Sequence, residues 1–363
     1  MTDNPSTDTA IERPRILIVR LSAIGDVVMA SGLIPALRAR WPQAHLAWLV
    51  EPAAAPLLLH NPRLDELIVW PRDDWRQLWR THHYLTLLQR FLALRSRLRT
   101  GRFDLALDTQ GLLKSALWSW FSGAPRRISL IGREGSQHLA TERVTRPDER
   151  GVPRRMGSEY RVLARHLGAA DDAFQPDLAI GTAAREVVRN ALRAALASRS
   201  TDGRYAVLCP FTTRPQKHWF EDRWIALALR LQDAGLVPVL LGGPGDRDAA
   251  TRIAAGVPGL VDLTGALKLD ESAAAIADAA LLVGVDTGLT HMGSALKIPT
   301  VALFGSTCPY LDAGVARSSV LYEKLACSPC RRNPTCHGRY DCMRALEVDR
   351  VCDEARRVMA MPA

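Results

Sequence analysis

Brief apolar runs alternate with segments of helical periodicity along the chain. The first run leads into a glycine turn and then into apolar positions spaced three and four residues apart, which is the pattern of a strand, a turn and a helix. Strands that alternate with helices predict an α/β fold with a parallel, doubly wound sheet. In the first half, the runs are RILIVRL, AHLAWLV, DELIVW and FDLALDTQG.

The alternation starts again after a weaker stretch between Tyr160 and Ile180. There an Ala- and Arg-rich helical segment precedes a second series of runs, which are YAVLCP, LVPVLLGG, GLVDLTG, AALLVGVDTG and PTVALFG. We therefore expect two α/β domains, residues 15–180 and 181–363, and we expect residues 1–14 to be disordered. Two such domains with a cleft between them would place ligands at the carboxyl ends of strands.

The composition is that of an ordinary globular protein. Of 363 residues, 47% are hydrophobic and 23% are charged, which argues against fibrous and disordered classes. No apolar run reaches the roughly 18 residues that a membrane-spanning helix needs, and the polar start MTDNPSTDTAIERPR lacks the apolar segment of a signal peptide. We therefore expect a cytoplasmic protein.

The net charge of +9 favours acidic partners such as nucleic acid, an anionic membrane surface or phosphorylated substrates. The segment from Arg72 to Arg102 stands apart because it mixes Trp, Leu and Phe with many arginines. Such an amphipathic segment is either a solvated basic face over core positions or a surface that meets anionic lipid or an anionic acceptor. The sequence leaves both interpretations open.

Three loops of the second half carry residues suited to a phosphorylated ligand. In CPFTTRPQKHW, hydroxyls and cations after a strand could converge on phosphate oxygens. In DTGLTH, a glycine permits close backbone approach at a predicted helix start, where N–H groups are unpaired. In LLGGPGDRD, a carboxylate could accept hydrogen bonds from ribose hydroxyls. The residues concerned are Thr212, Thr213, Arg214, Lys217, Asp246, Asp248, Asp286, Thr287, Gly288 and Leu289.

Each of these loops also has a purely structural explanation. Asp286 or Thr287 can simply cap a helix, and capping explains Asp246 and Asp248 equally well. The three loops nevertheless follow different strands of one predicted sheet at the same edge. Their convergence therefore favours a ligand site.

The first strand–helix turn lacks two common nucleotide-binding motifs. The chain contains no G-x-x-x-x-G-K-[ST], which disfavours a P-loop NTPase, and SAIGDVV lacks the second and third glycines of a dinucleotide fingerprint. Gly25 and Asp26 still place a carboxylate at the mouth of this turn. Asp26 could be a general base or an N-cap, and the spacing alone favours the N-cap.

Taken together, these motifs resemble the bacterial lipopolysaccharide heptosyltransferases of glycosyltransferase family 9. The resemblance runs from about Arg15 to Val351 and rests on ILIVRLSAIGDVVMASGLIPALR, FDLALDTQGLLKSAL, TTRPQKHWFEDRW and VGVDTGLTHMGSAL. TQGLLKSA and KHW are closer to the members that add the first heptose than to those that add the second. The resemblance implies a GT-B fold, in which two Rossmann-like doubly wound domains face a central cleft. The acceptor would bind mainly to the first domain and the ADP-sugar to the second.

The resemblance also implies roles for individual residues. Asp26 matches the catalytic base, and Lys217 is expected to act in catalysis by neutralising the leaving diphosphate. Donor-binding positions are Thr212, Thr213, Lys217, Asp286, Thr287, Gly288 and His291, with Asp246 or Asp248 at the ribose. Lys114 and Arg72 fall where the family meets its anionic acceptor.

The implied reaction moves L-glycero-D-manno-heptose from ADP-heptose to the Kdo of a Kdo-lipid A type acceptor, with inversion. Lys217 and helix N–H groups can neutralise the diphosphate, so we expect no cofactor in catalysis. The Asp246/Asp248 pair is assigned to ribose and is not interpreted as a metal site. Because the acceptor is an acidic glycolipid, we expect peripheral attachment to the anionic inner face of the inner membrane and no nucleic-acid partner.

Five of the seven cysteines lie near the C-terminal end, and in a cytoplasmic chain such clustering favours metal or redox chemistry over disulfides. A C-x₂-C pair is followed by two further cysteines that could complete a structural zinc or iron site. The second pair is not C-x₂-C, and free buried cysteines are common, so both interpretations stay open. The four candidate ligands are Cys327, Cys330, Cys336 and Cys342.

Two alternatives to this function remain. A family relative could add a later core heptose or glycosylate another acceptor. A protein of a different class, a non-catalytic binder of nucleic acid or anionic lipid, would also explain the charge. That second alternative is disfavoured because the basic residues are scattered between core patterns, without an aromatic-interleaved groove motif.

Overall fold

The computed structural model describes residues 12–130, 132–145, 154–197, 203–330 and 333–362. These residues divide into two compact units. Those of the first unit fall within Met1–Ser22, Ala30–Pro147 and Glu159–Gln175, and those of the second within Ala23–Met29, Asp148–Ser158 and Pro176–Ala363. The disorder expected for residues 1–14 concerns mainly residues 1–11, which lie outside the described residues.

The first unit contains a six-stranded parallel sheet. Its central strand is almost wholly apolar, with Ile16, Leu17, Ile18 and Val19 all buried, because helices cover both faces of a parallel sheet. The strand order is β3-β2-β1-β4-β5-β6, the doubly wound order of dinucleotide-binding folds. The strands are β1 (Arg15–Val19), β2 (His45–Val50), β3 (Glu66–Val69), β4 (Leu105–Asp108), β5 (Arg126–Leu130) and β6 (Glu142–Val144).

Six α-helices are present among the described residues of this part of the chain, although nearly all of the first one groups with the second unit. They are α1 (Ile24–Ala30), α2 (Leu33–Arg40), α3 (Arg72–Arg80), α4 (Tyr84–Thr100), α5 (Leu113–Phe121) and α6 (Ser158–His166). Beneath α3 and α4 lies an aromatic cluster whose ring centroids are 5.2–6.5 Å apart, formed by Trp70, Trp75, Phe91, Trp118 and Phe121. These rings anchor the two helices to the sheet.

The second unit repeats the architecture of the first. All strand pairs are parallel, and the order is β12-β11-β10-β7-β8-β9, which is the doubly wound order again when counted from β7. The strands are β7 (Tyr205–Cys209), β8 (Val237–Leu240), β9 (Val261–Asp262), β10 (Leu281–Val285), β11 (Thr300–Phe304) and β12 (Ser318–Tyr322). The prediction of two parallel, Rossmann-like sheets is therefore confirmed.

Helices pack on this second sheet and close its core. They are α7 (Thr182–Ala197), α8 (Glu221–Asp233), α9 (Arg247–Ala255), α10 (Leu269–Ala277), α11 (Gly288–Ala295), α12 (Asp341–Arg344) and α13 (Val348–Ala360). The last helix contributes Val351, Cys352, Ala355 and Val358 to the same buried core as Trp219 and Trp224. No helix of the described ranges is both long enough and apolar enough to cross a membrane.

Candidate active site

Four loops of the second unit meet at one cavity of about 500 Å³. They follow β7, β8, β10 and β11, and they meet because the carboxyl ends of parallel strands share one edge of the sheet. The volume is within the range of small-molecule sites. Nine residues singled out from the sequence line this cavity together: Asp26, Thr212, Thr213, Lys217, Asp246, Asp286, Thr287, Gly288 and His291.

Asp286, directly after β10, is the most heavily engaged side chain of the cavity, and its side chain is only 10% exposed. One carboxylate oxygen, Oδ2, lies 2.6 Å from Lys217 Nζ and also accepts a hydrogen bond from the hydroxyl of Thr307. The other oxygen, Oδ1, lies 3.3 Å from Nε2 of His291. Asp286 therefore joins the loops after β7 and β11 to helix α11.

These partners keep Asp286 ionised. Burial alone raises the pKa of a carboxyl group, but the hydrogen bond and charge of His291 and the ammonium of Lys217 outweigh burial and hold the pKa of Asp286 well below its usual range. The capping role that the sequence left open for Asp286 is therefore replaced by an ion pair. Thr287 is the N-cap residue of α11, and its side chain makes no capping hydrogen bond.

The imidazole of His291 is held from both sides. Its Nδ1 lies 2.9 Å from the hydroxyl of Tyr310, which is fully buried, and its Nε2 faces Asp286. With both ring nitrogens engaged, the orientation of His291 is set by the protein. Tyr310 and Thr307 come from the loop after β11, FGSTCPY, where the sequence pattern does not indicate a ligand loop.

Two helix starts approach closely at the cavity. A Cβ placed on Gly25 would lie 2.6 Å from Cδ2 of His291, and one placed on Gly288 would lie 2.8 Å from Cγ2 of Ile24. A side chain added at either position would therefore force its neighbours to shift. The approach brings the starts of α1 and α11, with their unpaired N–H groups, to the same cavity wall.

Asp26 lies in the first turn of α1 and lines the cavity. Asp26 is the third residue of α1 and so is not the N-cap residue that the spacing suggested, but its Oδ2 accepts a hydrogen bond of 3.3 Å from the backbone N–H of Ala23 and caps the helix start in this way. Asp246 behaves in a similar way, since its Oδ2 accepts a hydrogen bond of 2.8 Å from the N–H of Gly243 while it lines the cavity. Of the two carboxylates in GGPGDRD, Asp246 is the one at the cavity wall.

A free thiol also lies near the cavity. Cys308 precedes Pro309, which belongs to the lining. Burial, and then the negative charge of Asp286, raise the pKa of the Cys308 thiol to about 11. The thiol is therefore protonated at neutral pH and is a poor nucleophile.

The two expected acceptor residues lie in the first unit and gather around one carboxylate. Lys114 Nζ lies 2.9 Å from Oε1 of Glu51 and 3.4 Å from the hydroxyl of Ser22, and the Arg72 guanidinium lies 3.9 Å from the same Glu51 oxygen. Ser22, Glu51, Arg72 and Lys114 follow β1, β2, β3 and β4 respectively. They therefore form a basic cluster at the carboxyl edge of the first sheet.

The structure does not assemble the cysteine tail into a metal centre. Among the described residues, which include all four candidate ligands, no group of three or more Cys, His, Asp or Glu side chains could hold a metal ion. Cys327 is exposed, whereas Cys342 is buried, and a Cβ on Gly305 would lie 2.9 Å from Cys342 Sγ. Burial raises the pKa of Cys330 and Cys342, and the negative charges of neighbouring candidate cysteines raise it further.

Comparison with protein families gives a match between residues 91–340 and the model of glycosyltransferase family 9 (heptosyltransferase). The chain is 30% identical over 325 residues to lipopolysaccharide heptosyltransferase 1 of Pseudomonas aeruginosa, covering 89% of this chain and 87% of that protein. It is 28% identical over 364 residues to lipopolysaccharide heptosyltransferase 2 of Escherichia coli K12, covering 95% and 98%. The resemblance inferred from the motifs is confirmed.

Among solved structures, the chain is similar to E. coli heptosyltransferase WaaC with ADP-2-deoxy-2-fluoro heptose. The TM-score is 0.69 at 25% identity, and the match covers 94% of this chain and 99% of that one. The GT-B fold, built from two Rossmann-like units, is confirmed by this similarity together with the two sheets.

Proposed function

The chain belongs to glycosyltransferase family 9, the heptosyltransferases, and we propose that it transfers L-glycero-D-manno-heptose from ADP-heptose to the Kdo of the lipopolysaccharide inner core. Family membership makes it a glycosyltransferase of heptose in lipopolysaccharide core synthesis. One observation supports this more specific assignment of donor and reaction. Asp26, the Lys217–Asp286 pair and the start of α11 line the same cavity.

In this proposal the cavity binds the ADP-sugar. Lys217 carries three N–H donors, so it can keep its bond to Asp286 and still donate to a phosphate oxygen. The N–H groups at Thr287 and Gly288 and the hydroxyls of Thr212 and Thr213 supply further donors to the diphosphate. Asp246 would accept hydrogen bonds from ribose. Support comes from the similar E. coli enzyme, whose structure holds ADP-2-deoxy-2-fluoro heptose.

Asp26 is proposed as the general base. Its carboxylate takes the proton of the acceptor hydroxyl while that oxygen attacks the anomeric carbon from the face opposite ADP. The new C–O bond forms as the bond to the diphosphate oxygen breaks, so ADP leaves with the electron pair and the configuration inverts. Lys217 and the start of α11 stabilise the charge that develops on ADP. Because these groups stabilise the negative charge on the leaving ADP, the proposed reaction needs no cofactor.

The acceptor is proposed to be of the Kdo-lipid A type, bound through Lys114 and Arg72. The cluster around Glu51 supports this assignment because it offers two cations to an anionic glycolipid. Such an acceptor implies a cytoplasmic enzyme that works peripherally at the inner face of the inner membrane. Nucleic acid has no part in the proposal.

A second candidate is transfer to a core that already carries heptose. It is favoured by the 28% identity to E. coli lipopolysaccharide heptosyltransferase 2, which extends over 95% of this chain. The two candidates share the donor site and differ only in the acceptor.

The test is heptose transfer in the presence of EDTA, with product mass and ADP release measured for the wild type, Asp26→Asn and the control Asp222→Asn. Asp222 is an exposed carboxylate of α8. We expect a mono-heptosylated Kdo-lipid A from the wild type and the control. Asp26→Asn should bind ADP normally and lose a factor of about 10²–10⁴ in kcat.

Each other outcome has its own meaning. Product only from a heptosylated core would replace the first candidate by the second. If Asp26→Asn turns over at the wild-type rate, Asp26 is excluded as the base. Loss of activity in EDTA would show that a metal takes part. Absence of ADP binding would refute the donor site itself.

A further inference from the structure

We propose that the hairpin of α3 and α4, residues 72–100, docks on an anionic lipid bilayer by inserting an apolar face into the headgroup region. The inference deepens the proposed function, because it names the element that would hold the enzyme at a membrane-bound acceptor. It adds apolar insertion to the electrostatic attraction that the charge alone suggests.

The hairpin exposes an unusual share of the large apolar side chains. Among the described residues, twelve such side chains are exposed, and five of them lie on α3 and α4. Leu85 is 79% exposed, Trp79 62% and Leu88 52%. Single exposed apolar residues are normal on a protein surface, but a cluster of this kind marks an interaction site.

Helix α4 carries two separate apolar stripes. Leu94 and Leu98 are buried and belong to the core of the first unit. Leu85, Leu88 and Leu92 are exposed and are spaced three and four residues apart, so they share another face of the helix. Since one stripe is enough to pack α4 on its unit, the core does not account for the second.

The junction of α3 and α4 adds an aromatic pair to the exposed apolar side chains of the hairpin. The rings of Trp79 and Tyr84 have centroids 5.1 Å apart, and both side chains are exposed. The hydroxyl of Tyr84 lies 2.7 Å from Nδ1 of His82. Trp and Tyr side chains have an apolar ring and a polar group, and they are enriched at the membrane–water interface beside the lipid headgroups.

The charges of the hairpin fit an anionic lipid surface. Residues 72–102 include eight arginines and two aspartates, and α4 has four arginines and no acidic residue. Arg97 pairs with Glu66, but within the described part of the chain Arg90, Arg95 and Arg99 pair with no carboxylate. Cations beside an exposed apolar stripe form the pattern of an interfacial helix.

The same charges argue against two other occupants. A second copy of the chain, docked face to face, would bring these arginines against one another. Nucleic acid would complement the arginines but would leave the leucines of the outer stripe without a partner. A bilayer with anionic lipid is the surface that matches both features.

The experiment measures binding to two kinds of vesicle, phosphatidylglycerol mixed with phosphatidylethanolamine and phosphatidylcholine alone, at low and high salt and without acceptor. The variant replaces the outer stripe, as Leu85→Ser, Leu88→Ser and Leu92→Ser together. A matched control replaces three exposed apolar residues elsewhere, as Leu59→Ser, Val187→Ser and Leu229→Ser. We expect the hairpin variant to lose about tenfold or more in binding to the anionic vesicles, whereas the control binds like the wild type.

A third variant separates charge from apolar insertion. Arg90→Gln, Arg95→Gln and Arg99→Gln together should remove the salt-sensitive part of binding, and the leucine variant should lose the part that persists at high salt. Trp79 supplies an internal reporter. Its emission, taken as the difference between the wild type and Trp79→Phe, should shift to shorter wavelength on the anionic vesicles.

Three results would overturn the inference. These are unchanged vesicle binding by the leucine variant, equal losses in the control, and a concentration-dependent dimer that the leucine variant abolishes, since the face would then join two copies. Retained ADP affinity and an unchanged Tm show that a variant is folded. If the triple leucine variant does not fold, the single variant Leu85→Ser takes its place in the vesicle assay. Transfer to a deacylated, water-soluble acceptor should be normal in the leucine variant, so this assay tests the proposed function independently of membrane binding.

Discussion

Lys217 Nζ lies 2.6 Å from Asp286 Oδ2, and this contact joins the loops that follow two neighbouring strands, β7 and β10. The pair spans 69 positions of sequence. Asp286 holds the ammonium of Lys217 at the cavity wall and offsets part of its charge. The lysine is therefore oriented before a ligand arrives, which is how an enzyme avoids reorganisation during the reaction.

Replacing Lys217 by Ala should lower kcat by a factor of about 10²–10³, the usual effect of removing one donor that stabilises a charged leaving group or intermediate. Lys217→Arg keeps the charge but changes the geometry from a compact ammonium to a planar fork, so its activity should lie between those of Ala and the wild type. The measurement is kcat and the KM for ADP-heptose in steady-state assays. A higher KM with normal kcat would mean that Lys217 only binds the donor.

Asp286 should make the free energy of unfolding decrease as the pH falls in the acidic range. Its pKa is lowered in the folded protein, so below the ordinary value of 3.8 the unfolded chain takes up a proton that the folded chain still resists. The contribution of Asp286 to the free energy of unfolding is therefore complete above about pH 5 and falls as the pH drops below about 4. We expect the difference in Tm between the wild type and Asp286→Asn to be constant at higher pH and to shrink in acid. A difference that stays constant down to pH 3 would contradict the shift.

The cysteine tail gives a third prediction. Because its four candidate ligands are not grouped to hold a metal, we expect the purified protein to contain no stoichiometric zinc or iron. Elemental analysis of protein purified without chelator measures this directly. One equivalent of metal that is lost in Cys327→Ser and Cys330→Ser, but kept in the control Cys209→Ser, would instead confirm a structural metal site in the cysteine tail. Cys209 is a buried core cysteine of β7.

The sequence predicted the cavity residues better than it predicted their contacts. Thr212, Lys217 and Asp286 were found because they follow apolar runs, and parallel strands bring such positions together. The loop after β11 was missed, since Thr307 and Tyr310 carry no glycine, charge or motif that distinguishes them. Asp286 pairs with Lys217 and does not cap α11. This pairing depends on how the two loops approach each other in the folded protein, which a local sequence pattern does not show.

Strands were predicted where they are apolar and missed where they are polar. The alternation of the first half did not reveal β5 and β6, and that of the second half did not reveal β12. Their sequences, RRISL, ERV and SSVLY, begin with charged or hydroxyl residues and are short. They lie toward the edges of their sheets, where less of a strand is buried and the apolar signal is weaker.

The basic cluster of the first unit gives a fourth prediction, on the acceptor. Lys114→Ala should raise the KM for the acceptor about 10- to 100-fold, which corresponds to the loss of one charged hydrogen bond, and should leave the KM for ADP-heptose unchanged. Glu51→Gln removes the carboxylate shared by Lys114 and Arg72, so it should strengthen acceptor binding at low salt. Lys324→Ala, an exposed lysine of the second unit, is the control. Equal effects on both substrates would remove Lys114 from the acceptor site.

The close approach of α1 and α11 leads to a fifth prediction, in which two effects oppose each other. Within a helix, Gly→Ala normally stabilises by about 0.5–1 kcal/mol because the unfolded chain loses freedom. At Gly25, however, the new Cβ would lie 2.6 Å from the ring of His291, and such overpacking costs about 1–3 kcal/mol. The ring cannot easily move away, since Asp286 and Tyr310 hold its two nitrogens.

Overpacking should therefore prevail, and Gly25→Ala should lower both Tm and ADP affinity. Gly245→Ala, where a Cβ would meet no atom within 4 Å, should leave Tm nearly unchanged. The clash itself is tested by a double-mutant cycle with His291→Ala, because Gly25→Ala should destabilise much less once the imidazole is gone. If Gly25→Ala instead stabilises the protein, or if its effect is the same with and without His291, the two helix starts are not in contact in solution as the structure has them.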